Sequence, residues 1–101
     1  MSNSINVVIK KPFQQAECVT IENTLETFQK IVDGYIEIVH MPFDTDLLAV
    51  VNEEGLLRRL DFNFYIGNEI VAGNVVFVRS DGEEFTSLTD SDIKKIKKLL
   101  N

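Results

Sequence analysis

The twelve residues NTLETFQKIVDG, positions 23 to 34, constrain this fold more than any other stretch. Leu25, Phe28, Ile31 and Val32 recur at helical spacing, which gives one apolar stripe. Asn23 followed by Glu26 has the pattern of a capping box, and Gly34 stands where a left-handed C-cap is expected. A helix here separates strand-like segments. Upstream, Ile5 to Lys10 reads as a strand that Pro12 ends, and Glu17 to Ile21 alternates with period two. Downstream, Tyr35 to Met41 is rich in β-formers and ends at Pro42. Asp44-Thr45-Asp46 reads as a turn, and Leu47 to Val51 as the next strand.

Beyond Gly55 the pattern is less regular. Leu56 to Leu60 fits either a strand continuing a hairpin or a single helical turn, and Asp61 to Gly67 is aromatic and irregular. Asn74 to Arg79 reads as a strand, followed by a turn at Ser80-Asp81-Gly82. Glu84 to Leu88 is a short strand or an extended lead into a second helix. That helix has Thr89 as N-cap, Asp90 and Asp92 in its first turn, and a stripe of Ile93, Ile96, Leu99 and Leu100. Helices placed between strand pairs predict an α+β fold: a mainly antiparallel sheet of five or six strands, with two helices packed on one face. At 101 residues there is room for one core, so 1–101 is expected to be a single domain, with 1–4 a flexible amino-terminal tail.

Composition removes several function classes. Ten basic against sixteen acidic residues give a net charge of -6, which disfavours direct nucleic-acid binding and suits a basic partner. The lone Cys18 excludes a cysteine-rich zinc site and fits a reducing compartment. The start MSNSINVVIKK lacks the layout of a secretory signal, and no apolar run reaches the roughly 18 residues that span a bilayer. The expected location is cytoplasmic. Phosphate-loop, dinucleotide, nucleophile-elbow and zinc-protease motifs are absent, so neither enzyme activity nor a cofactor or metal is expected.

Among candidate groups, Glu53 and Glu54 in Asn52-Glu53-Glu54-Gly55 resemble paired carboxylates, but successive residues in a bend point apart. A four-residue hairpin turn fits better, with Gly55 at positive φ and Asn52 bonding back to the backbone. Cys18 and the single histidine, His40, could form a nucleophile–base pair only if the fold joins them. Lys94, Lys95, Lys97 and Lys98 lack interleaved aromatic rings and read as a solvated helix face. Arg58, Arg59, Asn63 and Tyr65, with Glu53 and Glu54 nearby, are the expected ligand- or partner-binding residues. Arginine forks, an amide and aromatic rings are what binding surfaces favour, although Phe62 and Phe64 also fit a core.

Residues 24–37, TLETFQKIVDGYIE, the bend Asn52 to Gly55, and Phe85 to Thr89 occur in an order and spacing that resemble one family. That family is domain-of-unknown-function family 3846, small proteins of bacteriophages and conjugative elements, and the resemblance spans about residues 5 to 100. Family members often carry a proline near the asparagine matching Asn63, where this chain has Asp61-Phe62. The resemblance implies a non-enzymatic accessory protein of a phage or mobile element, acting in the host cytoplasm. It would bind a host protein or other macromolecule, for instance a defence component. An alternative is a nucleotide-signal binder, with Arg58 and Arg59 on phosphate and Phe64 or Tyr65 stacked on a base. A third is an acidic nucleic-acid mimic, which the scattered carboxylates suit least. Neither oligomeric state nor partner identity follows from the residues.

Overall fold

Two runs in the chain, Leu47 to Val51 and Val75 to Val78, are buried at every position. A strand with no exposed alternate residue must be covered on both faces. The computed structural model, which describes residues 3–101, shows how. In chain order the elements are β1 (Ser4–Lys10), β2 (Glu17–Glu22), α1 (Leu25–Val32), β3 (Ile36–Met41) and β4 (Asp44–Asn52). There follow β5 (Phe62–Ile66), β6 (Glu69–Ala72), β7 (Val75–Ser80), β8 (Phe85–Thr86) and α2 (Asp90–Leu100). The main sheet runs β2-β1-β7-β4-β3, with β8 added beside β7, and β5 and β6 form a separate two-stranded sheet. Every pairing is antiparallel, as the α+β expectation required.

The two helices lie on opposite faces, not on one. Val76 and Val78 of β7 pack with Phe28 and Val32 of α1, together with Ile5, Val7, Leu48 and Val50. Their neighbours Val75 and Phe77 point the other way, into a second core with Ile96 of α2 and Ile66 and Val71 of the small sheet. The period-two alternation of a strand thus serves two cores at once.

Several boundaries shift from those expected. The N-cap of α1 is Thr24, whose side chain accepts from Thr27 N, while the Asn23 amide donates to Phe85 O at 3.0 Å. Asp33 takes the left-handed cap conformation in place of Gly34. The β3–β4 reversal falls at Pro42 and Phe43, and residues 44–46 already belong to β4. Proline presets the first central position of such a turn. Residues 53–59 are a chain of turns, with Arg58 N bonded to Glu54 O at 2.8 Å, so the single helical turn replaces a strand. The expected irregular stretch 61–67 is the strand β5 and its turn. Of the tail expected over 1–4, Met1 and Ser2 lie outside the described residues. Asn3 O accepts from Asn23 N at 2.7 Å, and Ser4 pairs with Glu22.

One local arrangement ties the two ends of the chain together. β1 pairs with β7 only through Val8 to Lys10, and β8 pairs with β7 at Arg79 and Ser80. Just beyond β8, Leu88 N donates to Asn6 O at 2.9 Å and Ser87 Oγ accepts from Asn6 N at 2.9 Å. The late segment thus fills the fork where β1 leaves β7.

Candidate functional site

The residues expected to bind are distributed over several roles, and most of their polar groups are already engaged. Asn63 bridges two segments: its amide nitrogen donates to Lys10 O and Gly73 O, both at 2.8 Å. Its oxygen accepts from Lys10 Nζ at 3.1 Å, and Lys10 Nζ also donates to Lys11 O at 2.8 Å. Lys10 is buried with two neutral acceptors, and burial lowers its pKa from the ordinary value. Asn63 is therefore a fold-closing amide. Arg58 forks onto the end of α1, with Nη1 donating to Asp33 O and Nη2 lying 3.1 Å from Asp33 Oδ2. Gly34 leaves room for this clamp, because a Cβ there would stand 3.0 Å from Arg58 Nη1 and 2.8 Å from Asn52 Nδ2.

Arg59 is exposed in a left-handed conformation with φ 55°. Arg58 shares a shallow cleft with Gln29, Gly34, Tyr35 and Glu54, whereas Tyr65 and Phe64 line a different cleft beside α2. The arginines and rings expected to hold a nucleotide are not brought together.

The Asn52–Gly55 bend keeps its expected Asx geometry, with Glu54 N donating to Asn52 Oδ1 at 2.7 Å. It does not join two strands of one hairpin, and Gly55 is not at positive φ. Glycine is needed there for a different reason: a Cβ would lie 2.8 Å from Ala72 O of β6. The bend is pressed against the small sheet, and Glu53 and Glu54 are left exposed at its rim.

Three of the expected residues, Tyr65, Glu53 and Glu54, join Phe62, Ile70 and Leu57 in a surface around this contact. The β5–β6 hairpin turns Phe64, Ile66 and Val71 inward. Its outer side carries Phe62, Tyr65 and Ile70, at 45%, 62% and 46% exposure. The Phe62 and Tyr65 rings are 5.1 Å apart, and Tyr65 is paired directly across from Ile70. On the β5 side lies an apolar cleft of about 230 Å³ whose lining includes Met41, Phe43, Phe64, Tyr65 and Leu99. On the β6 side a groove of about 150 Å³ has Val39, Leu56, Leu57 and Ile70 as apolar lining. Exposed Glu37, Glu53, Glu54 and Glu69 belong to the same groove. Two signals in the chain mark the hairpin: Gly67-Asn68 at the two-residue turn, and β-favouring residues on either side.

The strongest ionic group is elsewhere and was missed. Arg79 on β7 grips Asp92 through Nε and Nη2 at 2.8 and 2.7 Å, and Nη2 reaches Asp44 at 2.7 Å. Asp92 is also the reciprocal capping partner of Thr89. The Arg79 hydrogen bonds hold Asp92 down at about 2, against the opposing effect of burial, and lower Asp44 as well. Through its Nε and Nη2, Arg79 fastens α2 to β7 and β4.

Cys18 is exposed on β2 and His40 on β3, at opposite edges of the main sheet. Four strand steps separate them, about 19 Å, so they form no nucleophile–base pair. His40 Nδ1 lies 2.7 Å from Thr45 O. Lys95 sits with its Nζ 5.2 Å from the centre of the Phe43 ring, and Lys94 and Lys98 are exposed. Among the described residues no group of three or more His, Cys, Asp or Glu is placed to hold a metal ion. Among the described residues no helix is long and apolar enough to cross a membrane.

No curated protein and no solved structure matches this chain. A family profile does, and it covers residues 5–101, including all three segments that carried the resemblance, both cores and the whole hairpin surface. The chain belongs to the family described as Domain of unknown function (DUF3846).

Proposed function

We propose that this is a non-enzymatic accessory protein of a phage or mobile element that works by binding a host protein. The observation that carries this reading is the outer side of the β5–β6 hairpin. Phe62, Tyr65 and Ile70 are adjacent there and open to solvent, and Leu57, 83% exposed, lines the groove next to Ile70. A contiguous apolar patch rimmed by charge marks an interaction surface more often than scattered apolar residues do. Tyrosine and phenylalanine supply large contact area at small entropic cost. The surrounding carboxylates and the net charge of -6 favour a basic partner. The setting in a mobile element, and the host cytoplasm as the place of action, rest on the sequence resemblance.

The test is affinity capture from host lysate with the native protein and a Leu57→Ser, Tyr65→Ser variant. Both positions are exposed, so stability should change by no more than about 0.5 kcal/mol each. A defined host protein captured by the native chain and lost with the variant supports the reading. Equal recovery by both baits removes the hairpin face from it.

A further inference from the structure

The groove beside the hairpin runs along a strand whose outer edge is open. β3 ends the main sheet, and among the described residues no strand pairs with its outer side. The direction of its backbone groups follows from one bond. Glu53 N donates to Tyr35 O at 2.9 Å, one step beyond the Ile36–Asn52 pair, so Tyr35 faces β4. By alternation Glu37 and Val39 also bond toward β4, while Ile36, Ile38 and His40 present N–H and C=O outward. Unpaired edges of this kind accept an added strand.

The side chains around that edge state what the added strand would need. Glu37 and Val39 point to the face that holds the groove, where Glu53, Glu54 and Glu69 stand beside Leu57 and Ile70. Ile36 and Ile38 point to the α1 face, where Ile36 packs on the core and Ile38 is 43% exposed. An extended segment lying on β3 therefore meets carboxylates with one set of alternate residues and isoleucines with the other. Lysine or arginine suits the first set, since the methylene stem covers Leu57 or Ile70 while the cation reaches the rim. Valine, isoleucine or leucine suits the second. A second copy of this chain fits poorly: a two-fold axis at β3 would set Glu37 of one copy near that of the other, with Glu53, Glu54 and Glu69 alongside.

Building on the proposed binding role, we infer that the β3 edge takes up an extended segment of the host partner in which basic and apolar residues alternate. Main-chain bonds to Ile36, Ile38 and His40 supply the pairing, and the carboxylate groove selects the sequence. The edge and the hairpin face form one continuous surface, because Leu57 and Ile70 belong to both.

The probe is an eight-residue peptide of alternating lysine and valine with blocked ends, compared with its glutamate–valine counterpart. Titration followed by backbone amide spectra should show the lysine peptide binding at least tenfold more tightly. Its binding should slow exchange of the Ile38 and His40 amides. Ile38→Pro removes an outward N–H that no native bond uses, a position where an edge strand tolerates proline. It should abolish binding at an unchanged thermal midpoint. Should Ile38→Pro unfold the chain, Glu37→Lys with Glu69→Lys tests the same docking from two exposed side chains, and should reverse the peptide preference. Unchanged binding by folded Ile38→Pro, indifference to peptide charge, absence of binding at millimolar peptide, or pairing of two chains through β3 would each overturn the inference. Lysate capture lost with the Leu57 and Tyr65 variant but kept with Ile38→Pro would overturn it too, leaving the proposed function standing. A native bait that retains no host protein would sink that function instead.

Discussion

Asn63 and Asp92 show how much single residues contribute when their polar atoms are fully engaged. Asn63→Ala removes three hydrogen bonds and leaves Lys10 Nζ, Lys10 O and Gly73 O short of a partner. The expected loss is about 2–3 kcal/mol, read from urea unfolding. Asp92 carries a pH signature. Its folded pKa of about 2 lies below the ordinary 3.8. The stabilisation is thus fully present above pH 4 and disappears as pH falls through 2. Nearly two pKa units correspond to about 2–3 kcal/mol at 1.36 per unit. Asp92→Asn should flatten the acid limb of the stability curve by roughly that amount, with Asp44 retaining a smaller dependence. The chemistry of Asn63 was legible in the sequence as a polar group among aromatic residues. Its partner Lys10 lies 53 residues away along the chain, so its role in closing the fold was not. The Arg79 cluster had only half a signal, the Thr89–Asp92 spacing of a cap.

At the scale of elements, local signals served the helices well and the small sheet poorly. Helical periodicity and caps are written within one turn, and both helices stand within a residue or two of where that pattern puts them. The β5–β6 hairpin depends on a two-residue turn and on strands whose apolar residues face both ways, which blurs alternation. Gly67 sits in that turn at φ 60° with no atom within 4 Å of an added Cβ. Gly67→Ala should therefore cost about 1 kcal/mol through conformation alone. Hydrogen exchange of the hairpin amides should quicken before the main sheet responds. Gly55→Ala has a different cause and outcome. Its Cβ would press on Ala72 O, so β6 must move, and the spectral changes should spread along that strand.

At the scale of the whole molecule, the main sheet has a core on each side, one of them closed by the small β5–β6 sheet. Continuous burial in β4 and β7 was the legible sign of two covered faces, since a one-sided sheet would show polar residues at alternate positions. The two cores share no side chains, and stacked layers lie about 10 Å apart. Ile5→Val on one face and Ile96→Val on the other should each cost about 1 kcal/mol. The double variant should equal their sum within about 0.5 kcal/mol by denaturant titration. The strand order has a consequence in time. The ribosome completes the hairpins β1–β2 and β3–β4 long before β7, the strand that joins them. Each half thus emerges with the edge that β7 will cover still open. Ser87 and Leu88 fill the fork only after β7 is in place, so the nascent chain holds two unmated apolar ribbons until Val75–Ser80 has been made.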